Sequence, residues 1–354
     1  MSTWEQLASL PLEIERYELE GRELAFSEEF VRYTTLITLH GGGEEGVGED
    51  VVYDGLDHVG FQAAGPALPI AGAHTLGSFS ERLAELDAFP DPPVREVSRR
   101  YRTWAFESAA LDLALRQAGR SLAEQLGREL RPLNYVVSMR LGSFGDEQPE
   151  TSERMLRVLE RYPGTRFKLD PTNTWSDALI EELAQSGAVD SLDLKGQYKG
   201  TPVDVTTDPV LYAKLCEAFP DAWLEDPDIN DDTRPILEPH RDRITWDAPI
   251  HSVDDILALD WEPRMVNIKP SRVGSLADLG RAYDFCAERG IGAYGGGQTE
   301  LGVGRDHIQY LAALFHPDTP NDVAPRGFNQ PQLPDGMPQS PIHIAPAATG
   351  FRFG

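Results

Sequence analysis

The chain has 354 residues, 40% hydrophobic and 25% charged, with no apolar run approaching the ~20 residues of a membrane span, so a soluble protein of about two domains is expected. A formal net charge of −26 repels phosphate backbones and sets nucleic acid aside as a partner. An anionic substrate would need a local positive charge against that field, and a bound cation is the obvious source.

The opening "MSTWEQLASLPLEIERYELEG" lacks the basic start and apolar core of a signal peptide, so a cytoplasmic chain is expected. Residues 12–60 alternate as strands do, and "YTTLITLHGGGEEGVGEDVVY" reads as a hairpin with a Gly/Glu loop at 41–46. From about 77 to 127 the pattern is helical; Phe106, Ala109, Ala110, Leu113 and Ala114 make one apolar face. Strands followed by segregated helices indicate an α+β N-terminal domain.

After "RELRPL" short apolar runs alternate with helical stretches: "NYVVSMRLG", "TRFKLD", "SLDLKG", "DAWLEDP", "RITWDAPI", "RMVNIKP" and "GIGAYGGG". The intervening helices are expected at 151–162, 176–186, 208–218, 252–259 and 276–289. Charged strand ends at 170, 193, 225, 247 and 269 recur every 22 to 32 residues. Seven such βα units in one stretch favour a closed (β/α)8 barrel, whose active sites lie at the C-terminal ends of the strands. The Pro/Gly-rich tail, 318–354, reads as irregular chain packed back on the body. Cys216 and Cys286 fit no metal or disulfide pattern and read as buried small hydrophobes.

Lysine occurs only at positions 168, 195, 199, 214 and 269, against 27 arginines. Lysine can serve as a proton-transfer base where arginine cannot. Asp193, Glu225, Asp247 and Lys269 each follow a buried run, which puts three carboxylates and an amine at one barrel mouth. Such carboxylates repel one another unless a cation neutralises them, and oxygen ligands with waters suit Mg²⁺.

These stretches resemble the enolase superfamily in its muconate-cycloisomerase and mandelate-racemase-like branch. The hairpin is similar to that family's capping-domain hairpin, and "FESAALDLALRQAGRSLAEQLG" to its helix leading into the barrel. "LEDP", "WDAPIHS", "NIKPSRVGSL" and "GGGQTELGVG" are similar to its fourth to seventh strand ends. The resemblance implies a capping domain over 1–130, with contributions from the tail 335–354, and a (β/α)8 barrel over 131–334. It implies Mg²⁺ ligands at Asp193, Glu225 and Asp247, a base at Lys269, and an acid near the substrate carboxylate at Glu300. It also implies that Gly41–Gly46 and "GPALPIAG" close over the substrate. His251 and His307 match no family base and read as structural residues. The shared chemistry is removal of a proton α to a carboxylate, giving an enediolate held on Mg²⁺.

The chain departs from this pattern at its second strand, where Lys168-Leu169-Asp170 stands for the branch's Lys-x-Lys. Lys195, two residues after Asp193, stands where relatives carry an asparagine, as though the second lysine had moved one strand along. Asp170 would then be its ion-pair partner or an extra metal ligand. In a competing register "LDPTNTW" is the third-strand motif and Asp170 the ligand; counting strands favours Asp193. Cycloisomerase or dehydratase chemistry, for which one base suffices, ranks above racemisation or epimerisation of amino-acid or dipeptide derivatives. A non-catalytic metal- or ligand-binding descendant is the remaining alternative. The expected partner is a small-molecule carboxylate, with a homo-oligomer possible and no membrane.

Overall fold

The computed structural model describes all residues except 27–29, 143–148, 202, 331 and 354. The N-terminal part opens with helix α1 (Thr3–Ala8), capped by Ser2 and Glu5. Strands β1 (Pro11–Ile14), β2 (Arg16–Ala25), β3 (Val31–Gly41) and β4 (Glu44–Asp50) follow, with β2–β3–β4 an antiparallel sheet. Next come α2 (Gly55–Ala64), β5 (Gly72–Thr75), which pairs with β1, then α3 (Leu76–Ala84), α4 (Ser98–Gln117) and α5 (Leu122–Leu126). The α+β expectation is met, while α1, α2 and β5 lack a periodic signal in the sequence.

Helix α4 is buried along most of its length, and its alanines bring β4 against its backbone. A Cβ on Gly46 would lie 2.2 Å from the Ala109 carbonyl oxygen, and one on Gly48 2.0 Å from that of Ala105. These glycines therefore serve close packing, not loop freedom. The turn itself is only Gly42 and Gly43, with φ of 58° and 78°. It sits against Gln117, 16 residues from Tyr101 and so about 24 Å along the helix. Tyr101 is the end of α4 that meets the barrel, through the Gln298 amide at 3.4 Å. The reading that Gly41–Gly46 closes over the barrel mouth is thus corrected. The "GPALPIAG" loop likewise packs on the N-terminal domain itself, with the Leu68 N–H donating to the Tyr17 hydroxyl.

The barrel strands are β6 (Val137–Met139), β7 (Phe167–Leu169), β8 (Val189–Asp193), β9 (Trp223–Glu225), β10 (Ile244–Thr245), β11 (Met265–Ile268) and β12 (Gly292–Gly295). Helices α6 (Glu153–Arg161), α7 (Asp177–Gln185), α8 (Pro209–Ala218), α9 (Arg234–Leu237), α10 (Val253–Leu257), α11 (Pro270–Val273), α12 (Leu276–Arg289) and α13 (Gly304–Phe315) alternate with them. Strands β6 to β10 form a parallel sheet in sequence order and β11 pairs with β12; the Asn267 N–H to Trp246 oxygen bond joins the two.

The eighth position is filled by Asn321 and Asp322, within the segment read as irregular tail. The Asp322 N–H donates to the Gly295 oxygen, and the Val136 N–H to the Asn321 oxygen, which closes the ring. The rest of the tail returns to the N-terminal part: Phe351 is buried against Trp104, and Arg352 pairs with Asp112 at 2.6 Å. Among the described residues no helix is long and apolar enough to cross a membrane. Cys216 and Cys286 are buried and free.

Glu107 of α4 joins the two parts. It accepts from the Ser80 hydroxyl and from the Leu276 N–H at the start of α12, both at 2.6 Å. Burial pushes its carboxyl up to about 7. Between the unfolded value of about 4.3 and about 7, the folded chain binds the extra proton, so this group's contribution falls as pH rises through that window. Wild type should lose stability relative to Glu107→Gln between about pH 4.5 and 7, with no further change above. Urea unfolding of both across that range checks this, and parallel curves would refute it.

Candidate functional site

Strands β7 to β11 each deliver a charged group at or just past their ends, and in an extended chain residues i and i+2 point to the same side. Lys168 lies within β7 and Asp170 just past it; Asp193 ends β8 and Glu225 ends β9. Asp247 and Lys269 follow β10 and β11 directly or within two residues. Asp193, Glu225 and Asp247 are at most 1% exposed, and Lys168 and Lys269 are buried.

The charges interlock. The Lys168 ammonium bridges Glu225 and Asp193, the latter at 3.1 Å, and lies 3.6 Å from Asp322. Lys269 donates to Asp247 Oδ2 at 2.7 Å, Arg272 to Asp247 Oδ1 at 2.7 Å, and the Tyr198 hydroxyl to Asp247 Oδ2 at 3.0 Å. The Tyr294 hydroxyl donates to Glu225. Lys195, held at φ +54°, turns toward the cluster: its ammonium is 2.5 Å from Asp193 Oδ2 and 3.5 Å from Asp170 Oδ1. Asp226, at φ +50°, accepts from the Asp247 and Ala248 N–H groups at 2.8 and 2.9 Å.

Burial opposes charge on every one of these groups, and the cations decide which carboxyls still ionise easily. Burial would raise Asp193, but Lys195 and Lys168 hold it below the usual carboxylate range. Asp247 is held low in the same way by Arg272 and Lys269. Glu225 stays well above its ordinary value because burial outweighs the help of Lys168. Asp226 is pushed to about 7 by burial and by the neighbouring Asp247. Asp170 is also raised by burial, despite Lys195.

The donor set fits a divalent cation. Among the described residues the carboxyl groups of Asp170, Asp193, Glu225, Asp226, Asp247 and Asp322 meet Lys168, Lys195, Lys269 and Arg272, and oxygens of Asp193, Glu225 and Asp226 lie within 4.8 Å of one another. Asp226 therefore enters a group that the sequence reading filled with Asp247, both of whose carboxylate oxygens are engaged by cations.

Glu300 lies apart from the cluster. Its carboxylate pairs with Arg305 at 2.9 Å and accepts from the Gln298 N–H. A Cβ on Gly296 would meet Lys269 Cε at 2.3 Å, whereas one on Gly297 would meet Glu300 and Arg305. Successive residues of extended chain face opposite ways, so Glu300 and Lys269 flank this segment on different sides. A cavity of about 640 Å³ between β2, α13 and the tail is lined by Glu300, Arg305, Phe26 and Met337, and by none of the other charged strand-end residues. His251 bonds to the Pro249 carbonyl and His307 stacks on Phe351.

The sequence reading passed over Asp226, Tyr198, Arg272 and Tyr294. Asp226 and Arg272 lie inside stretches already singled out, one residue and three residues from those chosen, and Tyr198 lies two residues past "SLDLKG". Tyr294 carries no signal short of its pairing with Asn267 across β11 and β12.

Residues 5–125 match the N-terminal domain, and residues 129–330 the C-terminal domain, of the family described as domain of unknown function DUF8230. The chain is 30% identical to o-succinylbenzoate synthase from Geobacillus stearothermophilus over 270 residues, 71% of this chain and 68% of that protein. Across three o-succinylbenzoate synthases the match spans between 58% and 68% of the relative's length. N-succinylamino acid racemase from Thermus thermophilus is 26% identical over 338 residues, 85% of this chain and 81% of that protein. Among solved structures, an enolase-superfamily member from Listeria innocua matches with a TM-score of 0.62 at 20% identity, covering 89% of this chain and 86% of that one. A dipeptide epimerase from Methylococcus capsulatus, complexed with Mg, matches with a TM-score of 0.64 at 18% identity, covering 88% and 89%. With both DUF8230 domains, a capped parallel barrel and relatives of this kind, the chain belongs to the enolase superfamily of enzymes.

Proposed function

We propose that the protein abstracts the proton α to a carboxylate of a small substrate, with Lys269 as base and Mg²⁺ as cofactor, in a cycloisomerase- or dehydratase-type reaction. The observation that carries this is the Lys269 ammonium at the mouth, 2.7 Å from Asp247, which stands between it and the Asp193–Glu225–Asp226 group on β8 and β9. Asp193 and Glu225 would hold the ion, with Asp226 or Asp247 as the third carboxylate. Bound Mg²⁺ supplies positive charge against the negative charge that builds on the substrate carboxylate as the proton leaves. Lys269 takes the proton at Nζ, and Asp247, fixed by Arg272 and Tyr198, orients that amine. Lys168 offsets part of the carboxylate charge, and Tyr294 holds Glu225 in place. The relatives named o-succinylbenzoate synthase and N-succinylamino acid racemase share a succinyl group in their names, which favours a substrate with a second acid arm.

A racemase or epimerase is the second reading, favoured by the turn of Lys195 toward Asp193. In that case Lys195 serves the face opposite Lys269, with Asp170 beside it. Within the same proposal the cap comprises 1–130 with 335–354 and the barrel 131–334, as the contacts of Phe351 and Arg352 with α4 support. A cytoplasmic setting and assembly of identical copies belong to this proposal as well.

Mg²⁺ at a hundred times its Kd should stabilise the fold by about 2.7 kcal/mol, read by thermal unfolding. Asp193→Asn and Glu225→Gln should each weaken binding at least about tenfold, as the loss of a charged ligand implies. Calorimetric titration of Asp226→Asn beside Asp247→Asn identifies the third ligand, and unchanged affinity in all four variants would remove the metal from the proposal.

With N-succinylamino acids as probes in D₂O, Lys269→Ala should slow deuterium entry at the α-carbon by about 10²–10⁴-fold, seen by NMR. Full exchange in that variant would overturn the assignment of the base. Two-base inversion requires that Lys195→Met stop interconversion of the enantiomers while one of them still exchanges; loss of neither leaves the one-base reading.

A further inference from the structure

The segment from Gly296 to Val303, between β12 and α13, forms the wall beside Lys269, because only a hydrogen at Gly296 leaves room for Lys269 Cε. The barrel alone does not hold this wall. Helix α13 has no capping side chain of its own at its N-terminus. Glu49 of β4, about 250 residues earlier, does that work instead. Its carboxylate is fully buried and accepts from the N–H groups of Leu301 (2.7 Å), Gly302 (2.9 and 3.0 Å) and Gly304 (2.8 Å). Gly304 opens α13, where a helix start leaves its donors unpaired, Leu301 and Gly302 lie just before the N-cap Val303, and the dipole there favours an anion. The fit is tight on both sides: a Cβ on Gly304 would lie 2.9 Å from Glu49 Oε2, and one on Gly302 3.2 Å. Gly46 and Gly48 face α4, so alternation along β4 turns Glu49 the other way, toward the barrel.

A second residue of the same hairpin grips the other half of the wall. Arg32 of β3, 1% exposed, donates to the carbonyls of Gln298 (2.9 Å) and Thr299 (3.3 Å). The same guanidinium donates to the Val51 carbonyl at 2.6 Å and to that of Val52, and stacks over Tyr53. Thr299 sits at φ +56°, a conformation costly for a β-branched residue and kept only where the surroundings impose it.

We propose that Glu49 and Arg32 are positioning residues: from the N-terminal domain they fix the wall at Gly296 and thereby hold the Lys269 ammonium in its place at the barrel mouth. The functional part of this rests on Lys269 being the base, but the clamp can be tested without any substrate. The chain has only five lysines, so acetylation with limiting acetic anhydride, followed by mass spectrometry, reads each one separately. In Glu49→Gln the amide can accept from only part of the donor set and turns N–H groups toward the rest. Arg32→Lys, which cannot reach four carbonyls, is the second variant should the first fail to fold. In Mg²⁺-containing buffer either variant should acetylate Lys269 at least about fivefold faster than wild type, while Lys168, across the barrel on β7, stays within about twofold. Amide exchange at Leu301, Gly302 and Gly304 should accelerate at least about tenfold in Glu49→Gln. Lys168 and Lys269 rising together would mean general loosening and would overturn the proposal, as would faster amide exchange with Lys269 unchanged. Wild-type inactivity on every probe would refute the proposed reaction and leave this result standing.

Discussion

Crowding of carboxyl groups where water hardly reaches is the constraint on which the barrel mouth depends. Two unit charges 4 Å apart repel by about 4 kcal/mol at the effective dielectric typical of proteins, so each buried carboxylate needs a cation or must give up its charge. The described cations are shared unevenly. Asp193 and Asp247 each hold two and stay ionised with ease; Glu225 and Asp226 are left short and rise. The deficit is thus local, at the corner where Asp193, Glu225 and Asp226 converge. The place for an added positive charge is set by which carboxyls the lysines and Arg272 leave unserved.

The fold brings these groups together by repetition. Parallel strands in sequence order turn consecutive segments of chain into neighbouring staves, and β7 to β11 each end in a charge. Closure needs very little: two residues, Asn321 and Asp322, bond to β12 on one side and to the chain entering β6 on the other. Asp322 also reaches Lys168, so the residue that closes the ring joins its charge network. The N-terminal sheet then covers one arc of the rim, anchored by the fit of glycine strand to alanine helix at β4 and α4.

How much of this the sequence disclosed depends on whether a feature is local. The seven barrel strands and five of the helices between them were legible because most units repeat one pattern of apolar run, charge and helix; the short α9 and α11, and α13, were not given. The eighth strand was not, because "NDV" is too short to carry a period and lies in Pro/Gly-rich chain. Gly46 misled, since a glycine that frees a loop and one that admits a helix backbone are the same letter. Glu49 and Arg32 left no mark at all; their partners lie about 250 residues away, and nothing in "GEDVVY" distinguishes a helix cap for α13 from a solvated acid. Asp193, Glu225, Asp247 and Lys269 stand at neighbouring strand ends because strand position places them, although Asp226 and not Asp247 lies closest to Asp193 and Glu225. Glu300 depended on which side its loop faces, and only the neighbouring Gly296 and Gly297 reveal that.

The exchange between β7 and β8 follows the same electrostatic logic. The resemblance sets a lysine where this chain has Asp170 and an uncharged amide where it has Lys195. On that comparison the amine stands one strand along with a carboxylate added beside it, and in the structure the Lys195 ammonium has that counter-charge 3.5 Å away. The amine's location changes more than the charge does. Lys195 now reaches Asp193 at 2.5 Å, on the carboxylate already shared with Lys168, and takes up its strained φ of +54° to do so. A residue with a Cβ holds that conformation only where tertiary contacts enforce it. The strain at Lys195 and the two ion pairs that offset it are therefore one feature, which ties the rim of β8 to that of β7 through charge in place of backbone pairing.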